Sequence, residues 1–195
     1  MIVAMRMRLR QVALVAADLA AAEATIEREL GVELCFRDPG VATFGLVNAL
    51  YPVGDKLLEV VSPTQDGTTA GRFLDKRGGD GGYMVIFETD DLASMRTRFA
   101  AASARIVFEA VEEGIVGLHL HPADVGGAIV SVDETQTWGS WPWAGPSWHE
   151  HVCVDRVTDV LGVTIEAAEP AAMAARWSEV LGRPAHDDRI VALRD

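Results

Sequence analysis

Glu59 is the residue that most needs an explanation. It lies in the run KLLEVVSP, residues 56–63, where strand alternation puts Leu57, Glu59 and Val61 on one face. A carboxylate on an otherwise apolar strand face is costly to bury unless it has a partner. Two roles fit: a hydrogen bond to a neighbouring side chain such as Gln11, or work as a ligand or base. Gln11 itself shares a face with Ala13 and Val15 in the run QVALVAADL, residues 11–19. In residues 116–121, Val116, Leu118 and Leu120 fall on one face, and His119 and His121 on the other. With the apolar face against a helix, both imidazoles would look toward a binding cleft. A histidine before proline, as at His121-Pro122, can equally bond a turn backbone. The triplet His149-Glu150-His151 lacks the helical spacing of a zinc protease motif and reads as a solvated segment. Cys35 and Cys153 have no adjacent histidine or paired cysteine and read as inert thiols. The glycine-rich run at 78–82 has no Lys-Ser/Thr signature of a phosphate loop and reads as a joint.

The elements that must position these residues come twice. QVALVAADL and MVIFETDDL, residues 84–92, are each a short apolar strand closed by Asp-Leu, and each Asp-Leu opens a helical run. Asp18 is a good N-cap, Leu19, Ala22, Ile26 and Leu30 follow at helical spacing, and Gly31 is a stop. Strands are expected at 32–37, 41–50 and 56–61, then a linker helix at 70–76. The pattern then recurs as strand 83–88, helix 92–102, and strands 106–109, 114–121 and 127–133. A duplicated unit of this length means two similar modules, with the binding site where they face each other.

From 137 to 148 the texture changes to TWGSWPWAGPSW, which cannot be a regular helix. It reads as a strap that packs its aromatics on the domain, with a ligand lid or partner contact as the alternative. Beyond it a strand at 163–165, a helix at 170–181 and a strand at 189–193 start a third module that stays incomplete. Such a fragment leaves sheet edges open and must pack on the first two modules or on a second chain. A charge of −12 and a pI near 4.8 disfavour binding to nucleic acid or anionic membranes. No run approaches a membrane span, and two cysteines in 195 residues fit a reducing cytoplasm.

Taken together, the duplicated β-α-β-β-β pattern resembles the vicinal oxygen chelate superfamily, which includes glyoxalase I, bleomycin-resistance proteins, extradiol dioxygenases and methylmalonyl-CoA epimerase. FLDKRGG at 73–79 and LHPADVGG at 120–127 are similar in wording to the epimerase branch. The resemblance implies an α+β fold of two tandem βαβββ modules, 9–62 and 79–134, forming one cleft within a domain of 9–134. To this are added a strap at 135–149 and a partial third βαβ unit at 150–195. It implies metal-ligand positions at Gln11, Glu59, Met84 and Ser131. Of these Met84 is a soft thioether and Ser131 a weak neutral ligand, so a complete site for Zn, Mn, Fe, Ni or Co is not assembled, and His119 or His121 would have to compensate. The expectation is a cytoplasmic homodimer that binds a small molecule in the cleft, with a degenerate metal site and no certain cofactor. In that reading Gln11, Met84, His119, His121 and Ser131 line the site. The alternative is a metal-dependent lyase, isomerase or dioxygenase, with Glu59 as the proton-transfer base and Gln11, Glu59 and His121 on the metal.

Overall fold

The computed structural model describes residues 5–186 and 189–190. The chain divides into two compact units. One contains residues 10–83 and 141–161. The other contains 1–9, 84–140 and 162–195.

In the first unit, β1 (Met7–Val15) runs parallel to β3 (Lys56–Pro63), and β3 pairs antiparallel with β2 (Leu46–Val53). Asp18 caps the helix α1 (Leu19–Leu30) by accepting from the Ala21 N–H at 3.1 Å. The sheet face that packs on α1 carries Ala49, Tyr51, Val53 and Val60, which meet Ala16, Ile26 and Val32 in one core. Alternation sends Gln11, Asn48 and Glu59 to the opposite face.

The strand expected at 32–37 shrinks to one bridge, Phe36 with Leu50. Asp38 accepts from the Gly40 N–H and, with Pro39, starts a 3-10 helix (Pro39–Phe44), so the chain leaves the sheet after a single rung. For the same reason the strand expected at 41–50 begins only at Leu46. Gly45, at φ 69°, makes the left-handed turn into it. Helix α2 (Thr69–Arg77) closes this part of the chain, capped by the Thr68 hydroxyl.

The second unit has the full pattern. Its sheet is β4 (Gly81–Thr89), β7 (Ile129–Thr135), β6 (Ile115–Leu120) and β5 (Ile106–Glu112), in that spatial order. The pair β4/β7 is parallel and the others antiparallel. Asp91 caps α3 (Leu92–Ala101) through the Ser94 N–H, which repeats the role of Asp18. A short helix α4 (Pro122–Val125) links β6 to β7.

The partial third unit expected at 150–195 keeps its helix but lacks its first strand. Residues 163–165 form no strand. Among the described residues helix α5 (Pro170–Leu181) is followed by a hairpin of two-residue strands, Ala185–His186 with Arg189–Ile190. The rest of the strand expected at 189–193 lies outside the described residues. Of the two packing alternatives, α5 takes its own chain. Ala174, Trp177, Val180 and Leu181 are buried, the Trp177 ring meets Phe87 edge-on at 6.4 Å, and the indole N–H donates to the Gly126 carbonyl at 3.1 Å. The helix's apolar face is therefore covered without a second chain. No helix among the described residues is long and apolar enough to cross a membrane.

Trp177→Ala should cost about 3–5 kcal/mol of unfolding free energy, because it removes a buried ring and a hydrogen bond. Urea unfolding followed by circular dichroism checks this. A loss below ~1 kcal/mol would mean that α5 is an unanchored appendage.

Candidate functional site

Glu59 sits mid-strand in β3 and is 6% exposed. It has two partners. Gln11 Nε2 donates to Oε2 at 2.9 Å, and Asn48 Nδ2 donates to Oε1 at 2.7 Å. Each amide is in turn fixed at its oxygen end. Trp141 Nε1–H donates to Gln11 Oε1 at 2.7 Å, and the Asp38 backbone N–H donates to Asn48 Oδ1 at 2.9 Å. An indole N–H and a backbone N–H can only donate, so neither amide can flip without setting donor against donor. Both nitrogens are thereby committed to Glu59.

Two opposing effects set the proton affinity of Glu59. Desolvation is the larger and raises its pKa, and a minor push in the same direction comes from Asp38. The Asn48 and Gln11 donors pull the other way. Hydrogen bonds to a charged group contribute about 1.5–3 kcal/mol each, and burying the ion costs several kcal/mol. The two donors offset part of the cost, and the net shift stays upward.

The network is closed off by the strap. Trp141 is fully buried, and the Arg10 guanidinium lies 5.4 Å from its ring centre and 5.0 Å from that of Trp148. Trp138, in the other unit, has Arg6 and Arg8 at 4.2 and 4.8 Å, while Arg8 is bound to the fully buried Glu88. The strap's aromatics therefore serve as packing, as its composition suggests, but one of them also completes the polar site.

The remaining candidates lie in the second unit. Ser131 is directly opposite His119 in the β6/β7 ladder, and Met84 is level with Ile129 in the β4/β7 ladder. Met84, Ser131 and His119 thus share one sheet face. Ser131 Oγ donates to Asp133 Oδ1 at 2.5 Å, and both residues are buried. Gly117 is opposite Asp133, and a Cβ there would stand 2.9 Å from the carboxylate, so only glycine leaves room. The His119 ring lies 5.3 Å from Phe108. Burial lowers its pKa to about 4, which leaves the imidazole neutral at physiological pH.

His121 falls outside the alternation argument, because β6 ends at Leu120. It is the N-cap of α4, and its Nδ1 accepts from the Ala123 N–H at 3.1 Å. Of the triplet 149–151, His149 stacks on Trp148 at 3.6 Å and His151 pairs with Glu33. Burial pushes the Cys35 thiol up to about 11, which makes it a poor nucleophile.

Asn48 and Trp141 are site residues absent from the candidates that the sequence pattern singles out. Asn48 carried a signal equal to that of Glu59, a polar side chain in the apolar run LVNALYPV. Trp141 carried none, since no periodicity relates the strap to Gln11.

Residues 12–181 match the glyoxalase-like domain family, and the chain belongs to that family. It is 27% identical over 133 residues to the ethylmalonyl-CoA/methylmalonyl-CoA epimerase of Cereibacter sphaeroides, covering 65% of this chain and 97% of that protein. It is 27% identical over 130 residues to the mitochondrial methylmalonyl-CoA epimerase of Bos taurus, covering 65% and 74%. The crystal structure of methylmalonyl-CoA epimerase from Mycobacterium tuberculosis matches with a TM-score of 0.58 and 25% identity over 66% of this chain and 87% of that one. These likenesses establish the mixed α+β glyoxalase fold.

The divalent metal that the resemblance implies does not fit the residues present. A cation bridging Gln11 and Glu59 needs the amide oxygen turned toward the carboxylate. Here the nitrogen is turned there, locked by Trp141. Both Glu59 oxygens already accept N–H groups. Among the described residues no three His, Cys, Asp or Glu side chains gather into a metal-holding group.

Glu59→Gln should destabilise the protein at neutral pH by about 1–3 kcal/mol, because an amide at 59 offers one acceptor to two locked donors. The wild type has a pH dependence that the variant lacks. A carboxyl raised in the folded state adds stability that is fully present below its unfolded pKa near 4.5 and is lost as pH rises through the folded value. The gap between wild type and variant should therefore widen on acidification toward pH 4.5. Urea titrations from pH 8 downward measure it, and a constant gap would mean that Glu59 has an ordinary proton affinity.

Proposed function

We propose that this chain binds a small organic molecule at the sheet face bearing Gln11, Asn48 and Glu59, with no divalent metal there and without epimerase chemistry. One observation carries the reading: every oxygen that a metal would use on Gln11 and Glu59 already accepts an N–H. The ligand contacts expected of Met84, His119 and Ser131 lie in the other unit and are a separate proposal. Their chemistry supports binding rather than proton transfer. Ser131 is held by Asp133, and His119 is a neutral ring against Phe108. His121 adds a cap rather than a strand-face ligand. The free thiols Cys35 and Cys153 suit a reducing cytoplasm.

A second reading has its own support. Relatives of this chain carry the name of methylmalonyl-CoA epimerase, and one solved structure of similar fold, 20% identical, is of such an epimerase with methylmalonyl-CoA and NH4+. A buried carboxyl of raised proton affinity is what a proton-transfer base requires, and Glu59 has it. In that reading the chain is a metal-dependent lyase, isomerase or dioxygenase with Glu59 as the base.

Two measurements separate these readings. Protein purified without added metal should carry far less than one divalent ion per chain by elemental analysis. Incubated with methylmalonyl-CoA in D2O, it should incorporate no deuterium at the substrate's acidic carbon beyond the buffer rate. One tightly held ion per chain, with deuterium incorporation that disappears in Glu59→Gln, would establish the enzyme instead.

A further inference from the structure

We infer that Trp141 is a built-in occupant of a ligand slot, and that the molecule this chain binds is a flat, uncharged heteroaromatic with an N–H donor that takes the indole's place. The inference rests on the binding reading above. Its first support is where Trp141 comes from. The ring enters the polar site from the strap, not from the sheet that builds the site, and its N–H holds the oxygen end of Gln11 in the Gln11–Glu59–Asn48 network.

Its second support is backbone strain. Trp141 has φ 50° and ψ 66°, the left-handed region that bulky L-residues avoid. Among the described residues only Ser103 and Trp141 do so without being glycine. Strain of this kind persists where the surroundings impose it, and it collects at ligand clamps and switch segments. Here it sits at the residue whose ring reaches Gln11, so the closed strap is held by the ring's burial against the preference of its own backbone.

The slot also states its chemistry. Gln11 Oε1 is an acceptor that cannot turn away while Nε2 is held by Glu59. The Arg10 guanidinium faces the ring position at 5.4 Å, a placement that favours an electron-rich aromatic plane. A carbonyl or carboxylate at the indole N–H position would set its lone pairs against Gln11 Oε1. The slot therefore selects a donor on a flat ring, opposite in polarity to the oxygen pair that a metal site chelates.

Native-state hydrogen exchange on the wild type tests whether the strap opens. The Trp141 indole N–H should exchange about a hundredfold faster than the core amides of β3, at a rate nearly independent of low urea, as a local opening does. Calorimetry tests the chemistry of the slot. Trp141→Ala should bind indole about tenfold more tightly than benzofuran, which has the same shape with an oxygen in place of N–H. Adding Gln11→Leu should erase that preference. If the indole N–H exchanges only with global unfolding, Trp141 is core and the inference falls. It falls equally if the Trp141→Ala variant binds indole and benzofuran alike. Should that variant not fold, the exchange measurement on the wild type decides alone. Stoichiometric metal or deuterium transfer would refute the binding reading, and neither result is produced by a strap that stays shut.

Discussion

One hydrogen bond, from the Trp141 indole to Gln11, sets the sense of the Gln11–Glu59 pair at the centre of the first unit's buried polar network. It fixes the oxygen end of the Gln11 amide, which commits the nitrogen end to Glu59. The Asp38 N–H does the same for Asn48 from the other side. A carboxylate that would be expensive to bury alone becomes tolerable between two oriented donors. The same orientation that stabilises the carboxylate removes the geometry that a bridging cation requires. The site's stability and its poor fit to metal thus have a single cause.

Much of this architecture was written in the chain. Asp18-Leu19 and Asp91-Leu92 announced the two helix starts, because an aspartate before an apolar periodic run supplies the cap. Strand alternation placed Gln11 and Glu59 on the face away from α1, since a period of two leaves little choice once one face is apolar. The losses were also physical. The strand at 32–37 fails because Asp38-Pro39 turns the chain into a 3-10 helix before a second rung can form. The strand expected at 163–165 does not form, so among the described residues the partial third unit reduces to a helix that packs on its own unit and a short hairpin. Trp141 and Asp38 act across long or irregular separations that no local periodicity reports.

The second unit shows how the same fold can be filled differently. Its counterpart face holds Ser131 bonded to Asp133, a neutral His119 and the thioether of Met84, with Gly117 leaving room for the carboxylate. These groups are hydrogen-bonded or apolar rather than arranged around a hard cation. Belonging to the glyoxalase-like family therefore carries the scaffold over to this chain, while its chemistry depends on which side chains occupy the four family positions.

Gln11, Asn48 and Glu59 thus act as one locked unit. Nuclear magnetic resonance of the side-chain amides of Gln11 and Asn48 across a pH titration tests it most directly. Both NH2 groups should be protected from solvent, and both should shift with one common midpoint above 4.5, the titration of the carboxyl they share. Two different midpoints, or amide protons that exchange freely with solvent, would contradict the account.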